Sequence, residues 1–281
     1  MNVELIVDST VDVPERVRSR LTVVPLTIHF GQEEFLDGVT MDRHRFYERL
    51  VESDVLPTTS QASPAAFDQE LRRVRDSGSA AVVLTISSKL SGTYQSACIA
   101  AADYDNVYVV DSGTAAIGTG ILAEYALTCI DRGMDAAALA RELTEKREDV
   151  CVLALVDTLE YLKRGGRISK TTALAGGLLN IKPVLWGDPT GHITARGKYR
   201  GRKKALAAIA EEYRSRVEDA GNQRVAISHG DCPEDAQTLA DMICEIARPG
   251  QLIIAPHEPF TGAHVGPGML ALFFHGKQRA L

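Results

Sequence analysis

Long apolar runs are missing from this 281-residue sequence. No stretch reaches the ~20 residues that cross a bilayer, so stable membrane insertion is not expected. The first residues carry no basic segment and no cleavage site and lead directly into a strand-like run, which makes a cytoplasmic location the expectation. Cysteine pairing is missing as well. Cys98, Cys129, Cys151, Cys232 and Cys244 are an odd number without a Cys-x-x-Cys pair, and they read as small core hydrophobes in a reducing compartment. The seven histidines include no His-x-x-x-His doublet, so no metal centre is expected. Neither Gly-x-x-x-x-Gly-Lys-[Ser/Thr] nor Gly-x-Gly-x-x-Gly occurs, which removes the usual loops that cradle ATP or a dinucleotide cofactor. A Gly-x-Ser-x-Gly elbow is absent too, so a serine hydrolase has to be built another way. Excess positive charge is also lacking. Lys and Arg number 31 against 37 Asp and Glu, a net charge of −6 with a pI near 5.7, and nucleic acid is not an expected partner.

What is present is a chain that is 45% hydrophobic, long enough for two modest domains. Strand-length apolar runs at 3–7, 81–86, 107–110 and 150–156 each precede a helical pattern, the βα alternation of a parallel sheet. An extra strand is expected at 23–30. A helix over 42–52 is expected to be capped by Thr40, and further helices are expected at 64–76, 93–102, 114–131 and 136–148. After Asp157 the texture changes to a short helix closing on Gly165-Gly166, and the domain boundary is placed there. An N-terminal parallel-sheet α/β domain over 1–157 and a C-terminal α/β domain over 158–281 result. The second contains a small-residue segment at 171–179, a strand at 181–186, a hairpin turn at 187–191, a helix at 202–218, a strand–helix–strand run at 225–255, and a last strand at 269–274.

Polar chemistry gathers at strand ends. Ser87, Ser88, Ser91 and Thr93 lie between an apolar run and a helix start, where unpaired N–H groups and Ser/Thr hydroxyls can receive a carboxylate or phosphate. Simple N-capping accounts for one Ser but not for four hydroxyls. Thr58-Thr59-Ser60-Gln61-Ala62-Ser63-Pro64 has the same build, with Ser63 as N-cap and Pro64 at the first helical position. Lys198-Tyr199-Arg200-Gly201-Arg202-Lys203-Lys204 is the one dense basic run and leads into a helix. It reads either as a solvated face or as the docking point of an anionic partner. Gly165-Gly166-Arg167 and His264-x-Gly-Pro-Gly set one cationic side chain each among glycines.

Several of these blocks recur together, and in them the chain resembles the DegV family over nearly its whole length. They are Val7-Asp8-Ser9-Thr10, Val24-Pro25-Leu26, Thr59-Ser60-Gln61, Ser87-Ser88 with Ser91-Gly92-Thr93-Tyr94-Gln95-Ser96-Ala97, Asp111-Ser112, Asp157-Thr158-Leu159-Glu160-Tyr161-Leu162 with Gly165-Gly166-Arg167-Ile168, Leu179-Asn180-Ile181-Lys182-Pro183, and His264 with Gly266-Pro267-Gly268. Ala62, where the family has Pro, and Met269-Leu270-Ala271 are departures. The resemblance implies a two-domain α/β protein without catalytic residues or cofactor of its own. Its ligand is a long-chain fatty acid, with the carboxyl held between the domains and the acyl chain buried mainly under the second. Its implied partner is a separate ATP-dependent fatty-acid kinase subunit that makes acyl phosphate, a step toward phospholipid. By motif, Thr59 and Ser91 are the direct carboxylate ligands, Gly92 and Thr93 add backbone N–H groups, and His264, Arg167 and Arg202 form the surrounding polar network. The apolar stretch Ala173-Leu174-Ala175-Gly176-Gly177-Leu178-Leu179 is expected beside the tail. Two other readings stay open on the residues: an esterase using Ser91, and a regulatory interaction protein using residues 198–204.

Overall fold

The computed structural model describes residues 1–53, 55–168 and 180–277, which pack as two compact units, Met1–Glu148 and Asp149–Leu281. The first unit runs β1 (Val3–Asp8), α1 (Glu15–Arg18), β2 (Thr22–Val24), β3 (Thr27–Phe30), β4 (Glu33–Leu36), α2 (Arg43–Glu52), β5 (Thr58–Ser60), α3 (Pro64–Asp76), β6 (Ala80–Thr85), α4 (Thr93–Ala101), β7 (Val107–Asp111), α5 (Ile117–Asp131) and α6 (Ala136–Lys146). Strands β2-β1-β6-β7 form a parallel sheet in that order. All six residues of β6 are buried, as expected of a strand covered on both faces. The chain leaves β1 toward β2 on one side and returns as β6 on the other, so the strand order reverses between β1 and β6. In open α/β sheets the carboxyl ends at such a reversal form the ligand crevice.

The run expected as one strand at 23–30 is two. Pro25 cannot donate to a ladder, and the chain switches sheets there: β2 pairs with β1, whereas β3 is the centre of a small antiparallel sheet ordered β4-β3-β5. The cap of α2 is Asp42, whose Oδ1 accepts from Arg45 N at 2.9 Å, and not Thr40, whose Oγ1 accepts from Leu36 N at 2.8 Å. Ser63 caps α3 as expected, accepting from Ala66 N.

The second unit runs β8 (Val150–Leu155), α7 (Glu160–Arg164), β9 (Ile181–Gly187), β10 (Ile193–Arg200), α8 (Arg202–Arg216), β11 (Arg224–His229), α9 (Pro233–Ile246), β12 (Gln251–Pro256), α10 (Pro259–Val265) and β13 (Leu270–His275). Its sheet has the order β10-β9-β8-β13-β11-β12 and is antiparallel except where β11 meets β12. The strand at 150–155, assigned from sequence to the first domain, therefore belongs to the second sheet, paired with β13 and β9. The packing boundary lies before it rather than after Asp157. Helices α8 and α9 cover one sheet face through Leu206, Ile209, Tyr213, Leu239 and Ile243, against Leu153, Leu155, Ile227, Leu272 and Phe274. The single tryptophan, Trp186 on β9, lies under two guanidinium groups, Arg196 at 4.9 Å and Arg216 at 5.3 Å. The segment 171–179 lies outside the described residues.

Candidate functional site

The loop between β6 and α4 is organised by Ser87. Its carbonyl accepts from Leu90 N (2.9 Å) and Ser91 N (3.1 Å), its own N–H donates to Thr114 O (2.8 Å), and its Oγ accepts from Lys89 N (3.2 Å). Ser88 N donates to Asp111 Oδ1 at the end of β7. Of the four hydroxyl residues, Ser87 thus shapes the loop, and Ser91 and Thr93 form a buried pair. Their hydroxyls lie 2.9 Å apart, and Thr93 N donates to Ser91 Oγ at 3.3 Å. Gly92 is the N-cap position of α4.

Thr59 sits at the middle of β5, opposite Ile28 of β3, and is half-buried. The two hydroxyl corners separated in sequence are brought together by Gln61, a residue that sequence reasoning left without a role. Its Nε2 donates to Ser96 Oγ at 2.8 Å on α4. Its Oε1 lies 2.0 Å from where a Cβ on residue 92 would stand, so only glycine admits this approach. Behind the Ser91 loop, at the end of β1, is Asp8, 1% exposed. Burial pushes its carboxyl above the usual carboxylate range, against the hydrogen bonds from the Thr10 side chain, Ile86 N and Thr10 N that hold it down.

In the second unit, the two glycine turns form one constellation. Arg167 donates through Nη1 to Gly165 O. The imidazole of His264, in the last turn of α10, lies over Gly165, where an added Cβ would stand 2.4 Å from Nδ1. Gly266, at φ +76°, is held against the Tyr161 ring so closely that a Cβ would meet it at 2.4 Å. Desolvation, and secondarily the Arg167 charge, push the His264 pKa down to about 4. Burial also lowers the Arg167 guanidinium. His264 is consequently neutral at pH 7.

Arg202, expected around the carboxyl, hydrogen-bonds within its own unit through Nε and Nη1, while its buried Nη2 has no hydrogen-bond partner among the described residues. Nε donates to Asp235 Oδ2 at 2.5 Å, and Nη1 donates to Asp157 Oδ1 at 2.8 Å and to Gly268 O at 2.9 Å. Lys182 also reaches Asp157, at 2.5 Å. Arg202 therefore fastens the first turn of α8 to the start of α9, the end of β8 and the turn that follows His264. Lys198, Arg200, Lys203 and Lys204 are exposed.

Among the described residues no three His, Cys, Asp or Glu side chains gather as a metal site, and no helix is long and apolar enough to cross a membrane. Among the described residues, the hydroxyl of Ser91 hydrogen-bonds to that of Thr93 and accepts from Thr93 N.

Residues 2–277 match the sequence profile of a family described as uncharacterised protein, DegV family. A DegV domain-containing protein of Clostridium perfringens is 34% identical over 279 residues, which are 96% of each chain. Among solved structures, a DegV family protein from Thermus thermophilus, described for its fatty acid binding, matches with a TM-score of 0.90 and 32% identity, covering 98% of this chain and 100% of that one. DegV of Bacillus subtilis, a fatty acid binding protein, matches at 0.87 with 30% identity, covering 99% and 100%.

Proposed function

The chain belongs to the DegV family, and from that premise we propose that it binds one long-chain fatty acid and presents the carboxyl to a separate ATP-dependent kinase subunit for acyl-phosphate formation. The observation that carries the reading is the buried Ser91–Thr93 hydroxyl pair, clamped through Gln61 to the strand that bears Thr59. Two hydroxyls sharing one hydrogen bond keep one proton to donate outward, whichever of them donates to the other. Ser91 and Thr59 supply direct ligands, and the N–H groups of Gly92 and Thr93 add the positive end of α4. The family resemblance adds Arg167 and His264, which meet within the second unit, to the proposed carboxylate network. A carboxylate beside them offsets the desolvation that lowers both groups.

A tail of roughly fifteen methylenes at ~0.8 kcal/mol each contributes at most ~12 kcal/mol. That outweighs the several kcal/mol cost of burying the carboxylate only if the head is hydrogen-bonded. The tail is proposed to lie along the sheet face opposite α8 and α9. There the strand alternation sets buried Ala226, Ser228 and Ala271 beside Phe273. The protein itself is proposed to be the non-catalytic, lipid-holding partner of that kinase subunit.

Mass spectrometry of an organic extract of the purified protein tests binding, with a long-chain fatty acid as the expected species. Thr59→Ala or Ser91→Ala is expected to weaken affinity roughly ten- to a hundredfold, the loss of one hydrogen bond to a charged group. A lipid-free extract together with unchanged affinity in both variants would sink the reading. Acyl phosphate trapped from the loaded protein, kinase subunit and ATP tests presentation separately.

A further inference from the structure

We infer that Asp8 and Ser9, adjacent at the carboxyl end of β1, are positioning residues for the fatty-acid carboxyl, each fixing one of the two hydroxyl corners. Their side chains are 1% and 3% exposed, and both act through hydrogen bonds that reach far along the chain.

The main-chain ladder between β1 and β6 ends at Val7–Leu84. Beyond it, the Asp8 carboxylate takes over as acceptor: Oδ2 receives Ile86 N at 2.7 Å, while Oδ1 receives Thr10 N at 3.0 Å and Thr10 Oγ1 at 2.5 Å. Ile86 is the residue before Ser87, whose carbonyl receives Ser91 N. Asp8 thereby sets where the Ser91 loop leaves the sheet.

Ser9 does the same for the other corner. Its Oγ accepts from Leu26 N at 3.1 Å and donates to Asp37 Oδ2 at 2.8 Å, and Asp37 N donates to Leu26 O at 2.9 Å. This closes the break at Pro25-Leu26 and the end of β4 onto β1. It fixes β3, against which Thr59 is registered through Ile28. One dipeptide at the point of strand reversal thus references both hydroxyls to the same origin.

The chemistry requires a carboxylate at residue 8. An amide of the same shape offers one acceptor oxygen, so Asn satisfies either Thr10 or Ile86 and turns an N–H₂ toward the remaining donor. Ala at residue 9 removes both an acceptor and a donor.

The inference rests on the fatty-acid reading of Ser91 and Thr59, and a double-mutant cycle separates the two. Binding of oleic acid to the delipidated full chain is measured for the parent, Asp8→Asn, Ser91→Ala and the double variant, and likewise for Ser9→Ala with Thr59→Ala. Asp8→Asn is expected to weaken binding roughly tenfold in the parent and less than twofold once Ser91 has lost its hydroxyl, because its effect runs through that group. Ser9→Ala is expected to behave the same way toward Thr59. Equal penalties in both backgrounds, or no penalty in the parent while Ser91→Ala and Thr59→Ala do weaken binding, overturn the positioning role alone. Unchanged binding in Ser91→Ala and Thr59→Ala removes both hydroxyls from the fatty-acid site and overturns this inference with it, and no binding of oleic acid by the parent overturns the fatty-acid reading itself. If Asp8→Asn does not fold, Thr10→Val takes its place in the cycle. It removes only the hydroxyl donor to Oδ1, and the same attenuation by Ser91→Ala is required of it.

Discussion

At the scale of single residues, the protein keeps a histidine neutral by burying it beside an arginine. The His264 pKa of about 4 lies below the unperturbed value of 6.5. The stability linked to its neutral form is therefore complete above pH 6.5 and is lost as pH falls toward 4, with an upper limit of about 3 kcal/mol for a shift of this size. Urea denaturation of delipidated protein between pH 7 and 4.5 should show that decline, and His264→Gln should flatten its histidine-dependent part. An unchanged slope in the variant would remove His264 as the titrating group. Binding of a fatty acid should move the imidazole pKa upward, since a carboxylate opposes the Arg167 charge, and NMR titration with and without lipid measures this directly. Gly92 gives a second residue-scale expectation. Gly92→Ala must displace the Gln61 side chain, which breaks the bond to Ser96, so affinity should fall several-fold while Tm changes little. Gln61→Ala should add almost nothing to it, and additive effects would show that the Gln61 clamp is not the link between the corners.

At the scale of elements, Arg202 joins α8, α9, β8 and the turn before β13, and it does so as a planar fork that lysine cannot reproduce. Arg202→Lys should lower the stability of the second unit by about 1–3 kcal/mol, a moderate figure because the partner carboxylates are partly exposed. Trp186, the only tryptophan, lies in that unit's sheet and reports its unfolding by fluorescence. An unchanged midpoint would mean that Asp157 and Lys182 suffice without the guanidinium. The same elements show what was legible in the sequence. The strands at 3–7, 81–86 and 107–110 and the capped helix at 64–76 were legible because apolar runs, Ser63 and Pro64 are local signals. The pairing of β8 was not, since an apolar strand looks alike whether its neighbours are parallel or antiparallel. Strand β4 (Glu-Glu-Phe-Leu) and strand β5 (Thr-Thr-Ser) carry no strand pattern of their own and exist by registering on β3. Within the site, Ser91 and Thr93 followed from chemistry at a helix start. The meeting of Arg167 with His264, the Gln61 clamp and the capture of Arg202 by Asp157 and Asp235 depend on contacts that no local pattern encodes.

At the scale of the whole molecule, a chain with net charge −6 keeps a local positive corner where β10 ends and α8 begins. Lys203 and Lys204 occupy the first turn of α8, exposed, and Lys198 and Arg200 are exposed on the preceding edge strand. Cations at a helix N-terminus are unfavourable by about 0.3–1 kcal/mol each, so the corner persists against a small stability cost. An anionic partner face is the use proposed for it. Because Arg202 is half-buried and ion-paired to Asp157 and Asp235, the exposed lysines beside it are the cleaner place to test presentation. Lys203→Glu/Lys204→Glu complements the helix dipole, so the fold should be as stable as the parent or slightly more so, and fatty-acid affinity should be unchanged. Exposed interfacial charges act mainly on encounter rate and salt dependence. Acyl-phosphate formation with the kinase subunit and ATP should therefore slow roughly tenfold at low ionic strength, with the difference from the parent shrinking as salt is raised. A rate equal to the parent at every salt concentration would assign these lysines to solvent and leave the kinase to dock elsewhere.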